Sequence, residues 1–445
     1  MSTINYNIMK TKYLLLVASL IVSIANAQTW ESVGTGMNGS VHGFGVYNGE
    51  LYAGGSYTVA GGNPANNIAK WNGNSWDSLG SGIVSGGVRT FAVYNGELYG
   101  AGGFYLAGGI PVSDIAKWNG LGFSTVGSDG LNSGLVLSLT VYNGELYAGG
   151  TFLGADGHNA SRIAKWNGTL WSEVGSGIYG MASFVRSLAV HNGELYVGGT
   201  FTNASGTQVN NIAVWNGTSW SAAGTGVDGG GVFALCVYDN ELYAGGAFNT
   251  ADGIAVNRIV KWNGTNWTEV GGGVNGIVFS LCVFNNELYA GGLFTTAGGN
   301  AANNIAKWDG TDWSDVSGGM DSTVLALTVF NNQLFAGGHF SHAGATPVNR
   351  VARWNPLGIG VWESFIDNEV SIYPNPFTVS TTLVLNNEVK NGSLKIYNTH
   401  GKLERTLAFS GKQILIQKED LSQGIYFYHI DSAKEIIASG KIIIQ

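Results

Sequence analysis

The fourteen tryptophans of this chain lie in two columns of one repeating unit. The first column stands in the frame W-N-G or a close variant, and the second follows it by a few residues. The first column is Trp71, Trp118, Trp166, Trp215, Trp262, Trp308 and Trp354, and the second is Trp30, Trp76, Trp171, Trp220, Trp267, Trp313 and Trp362, with Phe123 in the vacant place. A period of about 47 residues is typical of a propeller or a solenoid. We therefore interpret the tryptophans as scaffold first.

Each repeat reads as four short β-strands separated by turn signals. Asn-Gly, as at Asn192-Gly193, separates the first two strands and is the strongest short hairpin signal because both residues accept a positive φ. The first strand is apolar on both faces, with small residues such as Ala189 on one and bulk such as Leu188 and Val190 on the other. A sheet of this kind is covered on both sides, so we expect the bulky face to pack on the small face of the next sheet.

Seven such units predict an all-β, seven-bladed β-propeller with four-stranded blades over residues 28–362. Closing the ring requires one blade built from both ends of this stretch. The strands that begin at Trp30 and at Trp362 compete for that place, and the longer turn before Trp362 favours the N-terminal strand. The Gly-Gly doublet, followed by an aromatic residue and a tryptophan, resembles the kelch family, which builds galactose-oxidase-like propellers. Kelch units usually have a longer turn between the aromatic residue and the tryptophan.

The N-terminus has the pattern of a secretory signal peptide over residues 1–27. Lys10 and Lys12 precede an apolar run, and a small-x-small site ends at Ala27. Met9 would be a more conventional start than Met1. The run is too short to cross a bilayer as a helix, and no later segment reaches that length, so no transmembrane segment is expected.

Composition restricts the classes of partner. Glycine occurs 70 times without a collagen period, and only 11% of residues are charged. Between residues 28 and 362 there are 20 Asp and Glu against 11 Lys and Arg, which gives a net charge of −9 and weighs against nucleic acid as a partner. Cys236 and Cys282 occupy one column of neighbouring repeats and are expected to be small buried residues; a disulfide between them is the less favoured alternative.

The tryptophans and Gly-Gly doublets stop after Trp362. We expect a linker at residues 363–370 and a small Ig-like β-sandwich at residues 371–445. This tail resembles the C-terminal sorting domain of type IX secretion cargo, in motifs that include Tyr373, Pro374, Asn375, Pro376, Gly401, Gly424 and Tyr426. The resemblance implies export by the type IX machinery and an outer-membrane-attached or secreted product, from which the tail is often removed. Gln445 departs from the basic residue usual at that end.

No catalytic constellation is visible in the sequence. His339 and His342 form an H-x-x-H without a third ligand, and metal sites need three or four. The acids that recur after the hairpin turns, such as Glu145 and Glu194, are expected to face solvent. We therefore expect no enzyme activity, no metal and no cofactor.

The repeats differ mainly on one rim, in the loops between strands two and three (58–67, 106–114, 154–162, 203–211 and 341–350) and before strand one (127–134 and 175–183). One column at the start of strand one also varies. It reads His42, Arg89, Leu137, Arg186, Phe233, Phe279 and Leu325. From it we select His42, Arg89, Arg186, Phe233 and Phe279 as candidate ligand-binding residues, at the mouth of the propeller channel. Filling of gaps between blades is the alternative role.

These observations predict a monomeric, secreted or cell-surface binding propeller that adheres to an extracellular protein or a polysaccharide through its variable rim. Two other classes stay open. A tandem-site lectin would use exposed tryptophans between blades, and a polysaccharide-active enzyme would release products from a glycan.

Overall fold

The computed structural model describes residues 29–355, 371–373, 375–398, 403–419, 421–432 and 435–444. Every regular element in these ranges is a β-strand. No helix in the described part of the chain is long and apolar enough to cross a membrane. The chain divides into two compact units, Met1–Gly358 and Ile359–Gln445.

The first unit contains seven four-stranded antiparallel sheets with one strand order, numbered here one to seven along the chain. The first strands are Ser40–Tyr47, Val88–Tyr94, Val136–Tyr142, Phe184–His191, Val232–Tyr238, Ile277–Phe284 and Val324–Phe330. The second strands are Glu50–Ser56, Glu97–Gly102, Glu145–Gly150, Glu194–Thr200, Glu241–Gly246, Glu287–Leu293 and Gln333–Gly338. The third strands are Ile68–Trp71, Ile115–Trp118, Ile163–Trp166, Ile212–Trp215, Ile259–Trp262, Ile305–Trp308 and Val351–Asn355. The fourth strands are Trp76–Ser78, Phe123–Ser124, Trp171–Glu173, Trp220–Ala222, Trp267–Glu269, Trp313–Asp315 and, for sheet seven, Thr29–Ser32.

The sheets follow one another in a closed succession. The first strand of each sheet contacts the first strands of both neighbours, and sheet seven contacts sheet one. Thr29–Ser32 pairs antiparallel with Val351–Asn355, with Trp30 opposite Trp354. The N-terminal strand therefore completes sheet seven, which confirms the favoured alternative; Trp362 lies outside the described residues.

The first two strands are joined by the tight turns that the sequence predicts. In sheet one, Asn48 has a φ of 50° and Gly49 a φ of 76°, and both values belong to the left-handed region that a two-residue hairpin of this hand requires. Asn285 and Asn286 reach the same region in sheet six, at 49° and 61°. Asparagine tolerates this conformation better than other non-glycine residues, so the turn is retained without glycine.

The tryptophans join neighbouring sheets. Trp76 is 1% exposed, and its Nε1 donates to the Val33 carbonyl of sheet seven at 3.0 Å. Five further tryptophans of the fourth strands donate in the same way, namely Trp30, Trp171, Trp220, Trp267 and Trp313. Each also contacts the tryptophan that ends the third strand, as Trp71 and Trp76 do at 5.3 Å between ring centroids. The scaffold interpretation is thus consistent with burial, ring contacts and hydrogen bonds together.

The expectation for the bulky face of strand one holds for one of its two columns. Leu235 packs with Ala189 of the neighbouring sheet, as predicted. Val190, in the other column, is 39% exposed, and Val46, Val93, Val141 and Val237 are exposed to a similar degree. First strands are the innermost strands of the closed succession, so their side chains also face its axis. The recurrent acids do not simply face solvent either. Five of them form half-buried ion pairs with the lysine of the third strand, at Glu50–Lys70, Glu97–Lys117, Glu145–Lys165, Glu241–Lys261 and Glu287–Lys307.

The divergent loops contain more regular structure than the sequence indicated. In each sheet the connection between strands two and three folds into a hairpin of two-residue strands. These hairpins are Val59–Ala60 with Asn63–Pro64, Leu106–Ala107 with Ile110–Pro111, Gly154–Ala155 with His158–Asn159, Asn203–Ala204 with Thr207–Gln208, Thr250–Ala251 with Ile254–Ala255, Thr296–Ala297 with Asn300–Ala301, and His342–Ala343 with Thr346–Pro347. In sheets two to five a further short strand leads into strand one and pairs with the hairpin: Ile83–Val84, Leu131–Asn132, Ile178–Tyr179 and Val227–Asp228. Backbone pairing of this kind holds the variable rim close to the sheets.

The described strands of the second unit pair into one five-stranded antiparallel sheet. Its strands are Ser371–Tyr373, Ser380–Asn398, Leu403–Gln417, Gly424–Ser432 and Glu435–Ile444. The long strand Ser380–Asn398 shifts register between Val384 and Gly392. Both of its halves pair with Leu403–Gln417; its first half also pairs with Ser371–Tyr373 and its second half with Gly424–Ser432. One buried cluster that includes Leu383, Ile396 and Ile430 forms the core.

Candidate functional site

The variable column of strand one lies on a repeated backbone irregularity. In each sheet, strands one and two shift register by one residue near the Gly-Gly end. In sheet one, Val41 pairs with Gly55 and Gly43 with Gly54, so His42 is the extra residue of a β-bulge. The same holds for Arg89, Leu137, Arg186, Phe233, Phe279 and Leu325. Bulges redirect side chains, and they often occur beside functional sites.

The Gly-Gly doublet makes room for this bulge and for the next sheet. At Gly245 an added Cβ would lie 2.6 Å from Cγ1 of Val278 in the neighbouring sheet. At Gly246 it would lie 2.0 Å from the carbonyl oxygen of Gly231, just before the bulged segment. Both distances are shorter than van der Waals contact allows, so larger side chains would displace the backbone. The sequence signature of the repeat thus permits the geometry of the site.

The seven bulged side chains line one cavity of about 250 Å³, together with His339. All five selected residues, His42, Arg89, Arg186, Phe233 and Phe279, are therefore brought together. We call this space the mouth cavity, defined by the seven bulged residues and His339. Leu137 and Leu325 belong to the same sequence column but were not among the selected five.

Sequence reasoning considered His339 only as a metal ligand and missed it as a residue of this cavity. His339 follows the Gly-Gly doublet of sheet seven directly, where the other sheets have Ser56, Gly103, Thr151, Thr200, Ala247 and Leu293. This column varies as much as the bulged one and pairs opposite the start of strand one. Comparison of that column among the repeats would have identified it. The other histidine of the H-x-x-H, His342, instead contacts Asp321, with 3.2 Å between Nδ1 and Oδ2.

Arg89 and Arg186 are the most unusual residues of the mouth cavity. Residues 29–355 contain eleven Lys and Arg, and nine of these have a hydrogen-bond or ion-pair partner. The partnered nine are Lys70, Lys117, Lys165, Lys261 and Lys307 with glutamates, Arg353 with Glu31, and Arg162, Arg258 and Arg350 with backbone carbonyls. Neither Arg89 nor Arg186 has such a partner among the described residues. Charged side chains are seldom withdrawn from water without a partner.

The two arginines are the charged side chains that line the mouth cavity. Burial lowers the pKa of Arg89, and burial followed by the nearby charge of Arg89 lowers that of Arg186. Both guanidinium groups nonetheless remain protonated at neutral pH, because the usual arginine pKa is above 12. No carboxylate belongs to the cavity lining. Two positive charges therefore face a common space without an opposite charge.

The other arc of the cavity is aromatic. Phe233 and Phe279 are nearly parallel, at 6° between ring planes and 5.9 Å between centroids. Phe184 also stacks on Phe233, at 6.2 Å between ring centroids. The Arg186 guanidinium carbon lies 5.9 Å from the centroids of both Phe233 and Phe279, within the range of a cation–π contact.

Two histidines form a polar edge. His42 Nε2 lies 3.1 Å from the Ser56 hydroxyl, and His339 Nδ1 lies 2.6 Å from the Ser40 hydroxyl. Burial, with contributions from Arg89, His339 and Arg186, lowers the pKa of His42 to about 4. Burial and the charge of Arg350 also lower the pKa of His339. The His42 imidazole is therefore neutral at pH 7 and carries one ring nitrogen without a partner among the described residues.

The other features considered in the sequence lie outside the mouth cavity. No group of three or more His, Cys, Asp or Glu in the described ranges has metal-binding geometry. Cys236 and Cys282 are free, and burial raises the pKa of their thiols to about 11 and about 12. The thirteen described tryptophans are at most 8% exposed, which leaves none of their faces open for sugar stacking as the tandem-site lectin required.

The sorting motif is only partly described. Asn375 accepts a hydrogen bond from the Ile443 amide at 2.8 Å, and Pro376 follows it. Tyr426 is buried and donates to the Ser422 carbonyl at 3.1 Å, and Gly424 begins a strand opposite Ile444. Tyr373 pairs through its backbone with Thr382. Pro374 and Gly401 lie outside the described residues, as do the linker 363–370 and the signal peptide 1–27.

Comparison with protein families identifies the tail. Residues 371–445 match the family described as "Secretion system C-terminal sorting domain". This part of the chain is therefore a C-terminal sorting domain, which confirms the resemblance and places the chain among secreted or cell-surface proteins that interact with the type IX secretion machinery. No curated protein matches the chain.

Comparison with solved structures gives propeller-like neighbours of low similarity. PorZ, described as an essential bacterial surface component of the type IX secretion system of Porphyromonas gingivalis, is 15% identical with a TM-score of 0.43, and the match covers 92% of this chain and 59% of PorZ. The extracellular domain of a putative one-component system from B. thetaiotaomicron is 12% identical with a TM-score of 0.48, covering 94% and 59%. BamB from Moraxella catarrhalis is 10% identical with a TM-score of 0.36, covering 74% and 91%. The chain thus spans about three fifths of the first two neighbours.

Proposed function

We propose that this chain is a non-catalytic binding protein, a seven-bladed kelch-like propeller displayed at the cell surface or released by type IX secretion. The mouth cavity is its ligand-binding site, and adhesion to a polysaccharide or an extracellular protein is its use. The observation that carries this proposal is the convergence of seven bulged side chains on one cavity, including two arginines that have no hydrogen-bond or ion-pair partner among the described residues. Rigid scaffolds commonly present binding residues at such variable positions.

Binding by the full chain to glycans and extracellular proteins tests the proposal. We expect at least one ligand to be retained by the wild-type protein and lost by the double variant Arg89→Ala plus Arg186→Ala. Lys165→Gln is the matched control, because it removes a positive charge that is paired with Glu145 and does not line the cavity. Equal binding by the double variant to every ligand found would refute the assignment of the mouth cavity.

A further inference from the structure

The charge of the mouth cavity indicates the first requirement of its ligand. Arg89 and Arg186 belong to sheets two and four, and Leu137 of sheet three is the bulged residue between them in ring order. Both lose hydration without gaining a hydrogen-bond or ion-pair partner among the described residues, and Arg186 gains only its cation–π contacts with Phe233 and Phe279. An anion between them would supply the missing opposite charge, and arginine binds carboxylate and sulfate or phosphate groups through charge-assisted hydrogen bonds. The ligand therefore carries an anionic group.

The histidine edge indicates hydroxyl groups on the same ligand. His42 and His339 each have one ring nitrogen bonded to a serine and the other without a partner among the described residues. A neutral imidazole nitrogen either donates or accepts a hydrogen bond, according to its tautomer. Hydroxyl groups match both possibilities because they donate and accept.

The aromatic side chains and the cavity volume indicate the size and shape of the ligand. Phe233 and Phe279 offer an apolar surface on the arc of the cavity next to Arg186. A cavity of about 250 Å³ lies below the range of roughly 300–1,000 Å³ typical of drug-sized ligands. It therefore suits a single ring rather than a run of several. A pyranose ring has both a hydroxyl-bearing edge and an apolar C–H face.

We propose, on the basis of the function proposed above, that the mouth cavity binds one acidic sugar residue, with Arg89 and Arg186 holding its carboxylate or sulfate group. Phe233 and Phe279 pack against the apolar face of the ring, and His42 and His339 bond its hydroxyls. Because the space fits one ring, the residue recognised is a chain end or a branch.

Calorimetric titration of the full chain with three small probes tests this inference. The probes are methyl glucuronide, glucose 6-sulfate and methyl glucoside, so that carboxylate, sulfate and neutral sugars are compared directly. We expect one of the acidic probes to bind at least about tenfold more tightly than methyl glucoside, with the difference abolished in Arg89→Gln and in Arg186→Gln. Lys165→Gln should bind as the wild type does. Unchanged thermal unfolding of each variant shows that it is folded.

The possible outcomes separate this inference from the broader proposal. If methyl glucoside binds as tightly as the acidic probes and Phe279→Ala weakens it while the arginine variants do not, the cavity is a binding site but the acidic-sugar inference is wrong. Failure of both acidic probes to bind at millimolar concentrations also overturns the inference. If no cavity variant changes binding of any ligand found by screening, the proposed function fails as well.

Discussion

Two sets of seven equivalent positions, with one position from each sheet, can be compared. The tryptophan ring is the fourth-strand position that holds six tryptophans and Phe123, and the bulged ring is the set of bulged residues of the first strands. In the first ring six tryptophans donate the same hydrogen bond to the preceding sheet. In the second ring four residue types, His, Arg, Leu and Phe, share the same backbone bulge. The first ring thus fixes the structure, whereas the second holds a common backbone position at which the side chain is free to differ. We infer that stability and binding are assigned to different rings.

The largest effect should come from the tryptophan ring. Trp76→Ala removes a side chain that is 1% exposed, so we expect the free energy of unfolding to fall by about 3–5 kcal/mol. Trp76→Phe should cost less, about 1–3 kcal/mol, because it mainly leaves the Val33 carbonyl without its donor, and sheet two already has Phe123 in this column. Denaturant unfolding measures both.

A matched variant in the other ring makes the comparison direct. Leu137 is half-buried and lines the mouth cavity, so Leu137→Ala should lower the free energy of unfolding by only about 1 kcal/mol. If Trp76→Ala lowered the free energy of unfolding by no more than Leu137→Ala does, the inference that the two rings serve stability and binding separately would be wrong.

The next largest effect should come from the column just before strand three, which holds asparagine in sheets one, four and six, arginine in sheets three, five and seven, and aspartate in sheet two. Asn67, Asn211 and Asn304 each accept from one backbone amide and donate to one carbonyl before the next sheet. Asp114 replaces asparagine in sheet two and accepts from the Phe104 amide at 2.9 Å, but its carboxylate cannot donate. Burial raises the pKa of Asp114 from 3.8 to about 6.

The direction of the pH dependence follows from this shift. Between pH 4 and 6 the folded state holds a proton that the unfolded chain has lost, so stability falls as pH rises through this window. Asp114→Asn should therefore raise the free energy of unfolding by about 1–3 kcal/mol at pH 7.5 and have little effect at pH 4. Asn211→Asp is the matched control and should reproduce the loss in sheet four. A gain from Asp114→Asn that is equal at both pH values would contradict this cause.

Much of this architecture could be predicted from the sequence because seven repeats allow equivalent positions to be compared within one chain. Columns of tryptophan, Asn-Gly and Gly-Gly marked the strands and turns, and the one sharply variable column identified five residues that do share a cavity. The bulge itself was not predicted, because a one-residue register shift depends on backbone pairing that periodicity does not reveal. The Glu–Lys pairs were missed because they join strands two and three, twenty residues apart in sequence.

The arginines of the bulged ring should affect stability little. Arg186→Met keeps the apolar stem but removes a charge that lacks an opposite partner and lies near that of Arg89. We expect the free energy of unfolding to stay unchanged or to rise by up to about 1 kcal/mol, as is common when a functional group is removed. A loss of more than this amount would show that Arg186 serves the scaffold.

The smallest effect should distinguish two glutamates at equivalent scaffold positions. Glu145 pairs with Lys165 at 2.8 Å. In sheet four Val214 takes the place of the lysine, so the equivalent Glu194 has no lysine to pair with. Half-exposed ion pairs contribute up to about 1 kcal/mol to the free energy of unfolding. Glu145→Gln should therefore lower that free energy by roughly 0.5 kcal/mol, and Glu194→Gln should leave it almost unchanged. The difference between the two variants should shrink in 1 M salt, because the Debye screening length there is only about 3 Å. If the two substitutions cost the same at low salt, the repeated ion pairs are a by-product of the repeat, and the scaffold is held by tryptophan packing and backbone pairing alone.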